Sequence, residues 1–133
     1  MTWLNKRTTG RHATLLSYNF DNESAPHATV GPMDDQRDTR LTDAELTAAL
    51  AELPGWKASG PGKVRIRKVY QFRSFDAAFA WMTRAAVAIR ELDHHPSWTN
   101  MYSRVEVELF TLACGGVTAH DVALAKALDA TPT

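Results

Sequence analysis

The sequence predicts an α+β fold: a four-stranded antiparallel sheet with three helices packed on one face, in the order α-β-β-α-β-β-α. Three observations predict it. Two segments, Lys63 to Phe72 and Arg104 to Leu112, alternate apolar and polar residues as half-buried strands do. Three other segments begin at helix-capping residues and carry helical spacing. The strands fall in local pairs with a helix between the pairs, and such pairs close most simply as an antiparallel sheet covered on one side.

The first helix starts where Thr42 and Glu45 form a capping box. Leu46, Ala49, Leu50 and Leu53 then recur at helical intervals, and Pro54-Gly55 ends the helix. A short strand follows at Trp56 to Ala58, and Ser59-Gly60-Pro61-Gly62 supplies a reversal. In the second strand Val64, Ile66, Tyr70 and Phe72 share one face, while Arg65, Arg67 and Gln71 share the other. Ser74 caps a second helix with Phe75, Phe79, Met82, Ala86 and Ile89 in one stripe, running to about Leu92 before Pro96. The third strand is Trp98 to Tyr102. In the fourth, Val105, Val107, Leu109 and Thr111 face one way, and Arg104, Glu106, Glu108, Phe110 and Leu112 face the other. Cys114-Gly115-Gly116 is a loop, and Thr118 with Asp121 caps a last helix carrying Val122, Leu124, Ala125 and Leu128.

The chain has 133 residues, the size of one domain, and 44% are apolar, enough for a core. Fifteen Lys+Arg balance fifteen Asp+Glu, which argues against a polybasic nucleic-acid or membrane-surface protein. No apolar run approaches the ~18 residues of a membrane span. A single cysteine, Cys114, makes no internal disulfide, and there is no Cys/His set at zinc spacing, so neither metal nor cofactor is expected and the cytoplasm is the expected setting. Residues 1–40 lack apolar periodicity and are rich in Asp, Asn, Ser, Pro and Gly between Asp21 and Arg40. They are expected to form a flexible N-terminal extension, with the domain spanning residues 41–133. Met33 offers an alternative start, and the stretch Lys6 to Thr14 has a faint transit-peptide composition that Asp21 and Glu23 interrupt.

The chemically richest stretch is Asp93-His94-His95-Pro96, two adjacent imidazoles where a helix stops. Histidine is suited to proton exchange near neutral pH, and neighbouring residues in a non-helical turn point apart, so the pair can flank a ligand. Asp93 can orient one ring. A histidine at a helix C-terminus can equally serve the carbonyl ends of the helix.

The wider pattern is Leu92-Asp-His-His-Pro-Ser-Trp98, Asn100-Met-Tyr102, Val105, Cys114-Gly, and Asp121 with Leu124-Ala125. It resembles the pterin-4a-carbinolamine dehydratase family, over roughly Leu41 to Ala130. The resemblance implies the same α+β fold and the dehydration of a 4a-hydroxytetrahydropterin to quinonoid dihydropterin, the recycling step after aromatic hydroxylation. It implies His94 and His95 as proton-transfer residues and Asp93 in support. It places the pterin against Phe110, Thr111, Leu112, Ala113 and Cys114, with Trp98 and Asp121 supporting, and it implies a homodimer or homotetramer. Two positions depart from the family pattern. A third active-site histidine of the family falls at Leu112, which transfers no proton, and an acidic position before the pair falls at Arg90. These departures keep open a second reading, a non-catalytic relative resembling a Rubisco assembly factor of alpha-carboxysomes, with the Rubisco large subunit as partner. A transcription-coactivator role through the helices is a third.

The remaining features have plainer readings. Arg65 and Arg67 can pair across strands with Glu106 and Glu108 as a solvated ladder. Trp81 fits a core, and Trp56 either core or pocket edge. His12, His27 and His120 have no partner in sequence and are expected at the surface.

Overall fold

A computed structural model describes residues 39–133 of the chain. The predicted extension lies outside the described residues except for Thr39 and Arg40. Helix α1 spans Asp43–Ala51, followed by β1 (Lys57–Ser59), a 3-10 turn (Pro61–Lys63), β2 (Arg65–Gln71), helix α2 (Phe75–Leu92), β3 (Ser97–Met101), β4 (Arg104–Leu109), a second 3-10 turn (Leu112–Cys114) and helix α3 (Ala119–Ala130). The sheet order is β1-β2-β4-β3, antiparallel throughout. The predicted α+β order of helices and strands is therefore the observed one.

Local chemistry sets the element ends. Both predicted capping boxes form: the Thr42 hydroxyl accepts from the Glu45 N–H while the Glu45 carboxylate accepts from the Thr42 N–H, and Thr118 with Asp121 repeats the arrangement. The Ser74 hydroxyl accepts from the Ala77 N–H. Helix α2 ends as Asp93 turns into the left-handed region (φ 50°, ψ 42°). β3 and β4 join through the two-residue turn Tyr102-Ser103, with Tyr102 at φ 53°. The Asn100 carboxamide braces that turn by donating to the carbonyls of Tyr102 and Arg104.

One core lies between the sheet and the helices. Ile66, Val105, Val107 and Leu109 of the sheet meet Leu46 and Leu53 of the first helical segment, Ala78, Trp81, Ala85 and Ile89 of α2, and Leu124, Ala125 and Leu128 of α3. Trp81 is fully buried and touches Tyr70, Phe72 and Trp98, with ring centroids at 4.5, 5.4 and 6.3 Å. Truncating such a residue to Ala typically costs ~3–5 kcal/mol.

Two expectations are corrected here. The stripe Phe75-Phe79-Met82-Ala86-Ile89 is buried only at its C-terminal end, with Ile89 in the core and Met82 packed against it; Phe75 and Phe79 stack on each other in the open, Phe79 at 55% exposure. The helix is turned so that the bulky Trp81, flanked by the small Ala78 and Ala85, meets the sheet. The fourth strand stops at Leu109 rather than Leu112, because the chain bends into the 3-10 turn after the isolated bridge Thr111–Gly116.

The other sheet face is polar and carries the predicted ladder. Arg67 stands directly opposite Glu108, yet the ion pairs run diagonally, Arg65 to Glu108 at 3.3 Å and Arg67 to Glu106. Arg104 also reaches Glu106, at 2.8 Å. The two guanidiniums, Arg67 foremost, hold the Glu106 carboxyl below the usual carboxylate range. At the opposite end, Asp129 accepts from the Trp56 indole (3.1 Å), the Lys68 ammonium (2.7 Å) and the Tyr70 hydroxyl (2.6 Å), tying α3 to β2.

Candidate active site

The chemistry-bearing residues meet where α2 ends, β4 ends and α3 begins. The Schellman-like turn after α2, with Asp93 and His94 backbone N–H groups donating to the carbonyls of Arg90 and Ile89, aims the His94 side chain at the start of α3. There His94 Nε2 lies 2.6 Å from Asp121 Oδ1. The second carboxylate oxygen, Oδ2, accepts from the Thr118 N–H at 2.8 Å and from the Thr111 hydroxyl at 2.9 Å. Thr111 and Thr118 are themselves joined at 2.9 Å, and Thr118 also accepts from the His120 N–H.

Proton bookkeeping follows from this network. Asp121 is fully buried and is approached only by groups able to donate, as a carboxylate requires. Nε2 of His94 then carries the hydrogen given to Oδ1. In a neutral imidazole that leaves Nδ1 with its lone pair, so a buried acid fixes the tautomer of a ring whose side chain is 16% exposed. Buried charge-assisted bonds of this kind are individually worth ~1.5–3 kcal/mol, and together they lock three chain segments.

His120 completes the cluster. Its ring stacks on that of His94, with centroids 5.5 Å apart and planes 29° apart. Beside the pair lies a recess lined by Glu91, Leu92, Ala119, His120 and Ala123.

The loop after β4 closes on itself. Thr111 N–H donates to the Gly116 carbonyl at 2.8 Å, and Gly115 takes the left-handed turn (φ 68°). The Arg40 side chain lies so close over Gly116 that a Cβ there would sit 2.5 Å from Arg40 Cδ, while its guanidinium donates to the Gly62 carbonyl at 2.8 Å. A side chain at position 116 would displace the Arg40 side chain from this place. Among the described residues, no three His, Cys, Asp or Glu side chains converge on a metal position.

The family model described as pterin 4 alpha carbinolamine dehydratase matches residues 39–131. The chain belongs to this family. A relative from Afipia carboxidovorans, named "Putative pterin-4-alpha-carbinolamine dehydratase", is 51% identical over 89 residues, 67% of this chain and 88% of that protein. A Mesorhizobium japonicum relative of the same name is 48% identical over 90 residues, 68% of this chain and 91% of that protein. The crystal structure of a transcriptional coactivator/pterin dehydratase from Brucella melitensis superposes with a TM-score of 0.67 at 39% identity, covering 71% of this chain and all of that one.

Within this pterin-4a-carbinolamine dehydratase frame, the structure brings some sequence-predicted residues together and separates others. His94, Thr111 and Asp121 form one hydrogen-bonded unit. Asp121 holds the His94 imidazole, while Asp93 is exposed and its backbone ends α2. His95 is exposed beside His94. Phe110 points to the polar side of the sheet, where Arg65 covers its ring at 4.8 Å, so it is not joined to the His94 cluster. Leu112 is 83% exposed on the 3-10 turn and Ala113 is exposed next to it. Cys114 is half-buried, its Sγ 3.7 Å from the Thr111 carbonyl. Trp98 packs on Trp81 as part of the core periphery.

The sequence reading missed His120, placed at the surface without a partner, and treated Thr118 only as a cap. No sequence signal pointed to it, because neighbouring residues of a helix turn point apart and His94 reaches the start of α3 only in the fold.

Proposed function

We propose that this chain is a 4a-hydroxytetrahydropterin dehydratase that works by histidine acid–base catalysis in the cytoplasm. The observation that carries the reading is the His94–Asp121 bond. It leaves Nδ1 of His94 as an oriented base, and the next residue, His95, is exposed. In the reaction the N5 proton of the pterin passes to His94 Nδ1, and the N5 electron pair forms the C4a=N5 bond. The C4a–O bond breaks, and the departing hydroxyl takes a proton from His95 and leaves as water. The protons then exchange between the two rings and solvent, and no net oxidation occurs. Leu112, Ala113 and Cys114 border the ring. The exposed Phe75, Phe79 and Val87 on α2 support a homodimer or homotetramer.

Leu112, which stands where the family pattern has a third histidine and transfers no proton, favours the second reading, a fold relative without catalysis that acts in Rubisco assembly. Stopped-flow dehydration of freshly made 4a-hydroxytetrahydropterin separates the two. A wild-type rate above the uncatalysed one, reduced roughly 10²–10⁴-fold in His94→Ala or His95→Ala, supports the enzyme. A wild-type rate equal to the uncatalysed one removes it.

A further inference from the structure

We propose that His120 is a positioning residue for His94: its imidazole backs the His94 ring and holds its plane while Asp121 holds its tautomer. The inference rests on the dehydratase reading for its kinetic consequence, but its structural part stands on three distances alone.

A hydrogen bond from Nε2 to a carboxylate fixes one atom of an imidazole and leaves the ring free to rotate about that bond. A second contact is needed to set the direction in which Nδ1 points. The single-ring stack at 5.5 Å and 29° supplies it. The His120 backbone is held: its main-chain N–H donates to the Thr118 hydroxyl at 3.2 Å, and Thr118 is fully buried and bonded to Asp121, so the point from which the His120 ring projects is fixed. The two constraints on His94 therefore arise from neighbouring residues of one helix turn, so they move together. Because the α3 capping box also fixes that turn, the fold and the His94 geometry share one support.

The test compares wild type, His120→Ala and His120→Phe. Phenylalanine keeps a flat ring and removes both nitrogens. Expected is a fall in kcat of roughly 10- to 100-fold for His120→Ala with KM little changed, because misdirecting a reacting group costs rate rather than binding. His120→Phe restores most of the loss. Nitrogen NMR of the His94 side chain is the second readout. It shows the Nε2–H tautomer held by Asp121 in all three proteins, with sharp ring signals in wild type and His120→Phe and shifted or exchange-broadened ones in His120→Ala. Unchanged kcat, an unchanged His94 signature in His120→Ala, or failure of His120→Phe to rescue each overturns the proposal. A wild type without dehydratase activity overturns the enzyme reading instead, and the NMR comparison then decides whether His120 positions His94.

Discussion

Nε2 of His94 and Oδ1 of Asp121, 27 residues apart in sequence, lie 2.6 Å apart in the fold. The bond joins the end of one helix to the capping box of another, so one carboxylate serves both stability and the candidate chemistry. Asp121→Asn separates these roles poorly and is informative for that reason. A carboxamide has one acceptor oxygen, whereas Asp121 receives donors on both oxygens, so its NH2 must face either the His94 Nε2–H or the Thr118 N–H. We expect a loss of about 2–4 kcal/mol in urea unfolding together with loss of dehydration. Stability within ~0.5 kcal/mol of wild type would show that the carboxylate is not the acceptor described.

Asp93 makes a prediction of the opposite sign. It holds φ 50° without being glycine, and it puts a carboxylate at the carbonyl end of α2. Both features cost stability. Asp93→Gly is expected to raise unfolding free energy by ~1 kcal/mol in denaturant titration; a decrease would mean that the Asp93 side chain holds the turn.

Tyr70 predicts an alkaline limb. Burial, followed by the hydrogen bond to Asp129, pushes its hydroxyl well above the usual phenol range. A group whose folded-state value is raised contributes stability that is fully present below its unfolded value and is lost as pH rises past it. For Tyr70 that window opens near pH ~10. Wild type should therefore lose stability more steeply above this pH than Tyr70→Phe, which has no phenol to ionise. Below it, Tyr70→Phe should be weaker by about 1 kcal/mol for the lost hydrogen bond. Parallel curves for the two proteins above pH ~10 would contradict the assigned cause.

The order of elements and both capping boxes are legible in the sequence because they depend on neighbours: Thr42 with Glu45, and Thr118 with Asp121, signal within four residues. The charge ladder is legible because alternation places Arg65, Arg67, Glu106 and Glu108 on one face. The rotation of α2 is not. Trp81 is read as core and is buried, but the apolar stripe through Phe75 and Phe79 gives no sign that these two rings face outward; the small Ala78 and Ala85 bring Trp81 rather than them against the sheet. The partner of His94 is hidden for a related reason. Asp93 is adjacent in sequence, but its left-handed backbone leaves its side chain exposed, while the fold delivers Asp121 from another helix.

Leu112 supplies the sharpest test of the site. It is an apolar residue at 83% exposure on a 3-10 turn, and it follows Thr111, whose hydroxyl is bonded to Asp121. Nothing is buried by it, so Leu112→His should leave stability within ~0.5 kcal/mol of wild type. The new imidazole stands on the turn that follows Thr111, two residues before the Cys114 thiol. If the pterin lies between this loop and His94, an added proton-transfer group should raise kcat by tenfold or more, within the ~10²–10⁴-fold range available to a well-placed acid or base. The rise should vanish in the double variant with His94→Ala, because the added group depends on the ring His94 orients. Stopped-flow rates for the two variants, with Leu112→Gln as a polar control lacking proton transfer, measure this. Equal rates for Leu112→His and Leu112→Gln would place the pterin elsewhere than against this turn.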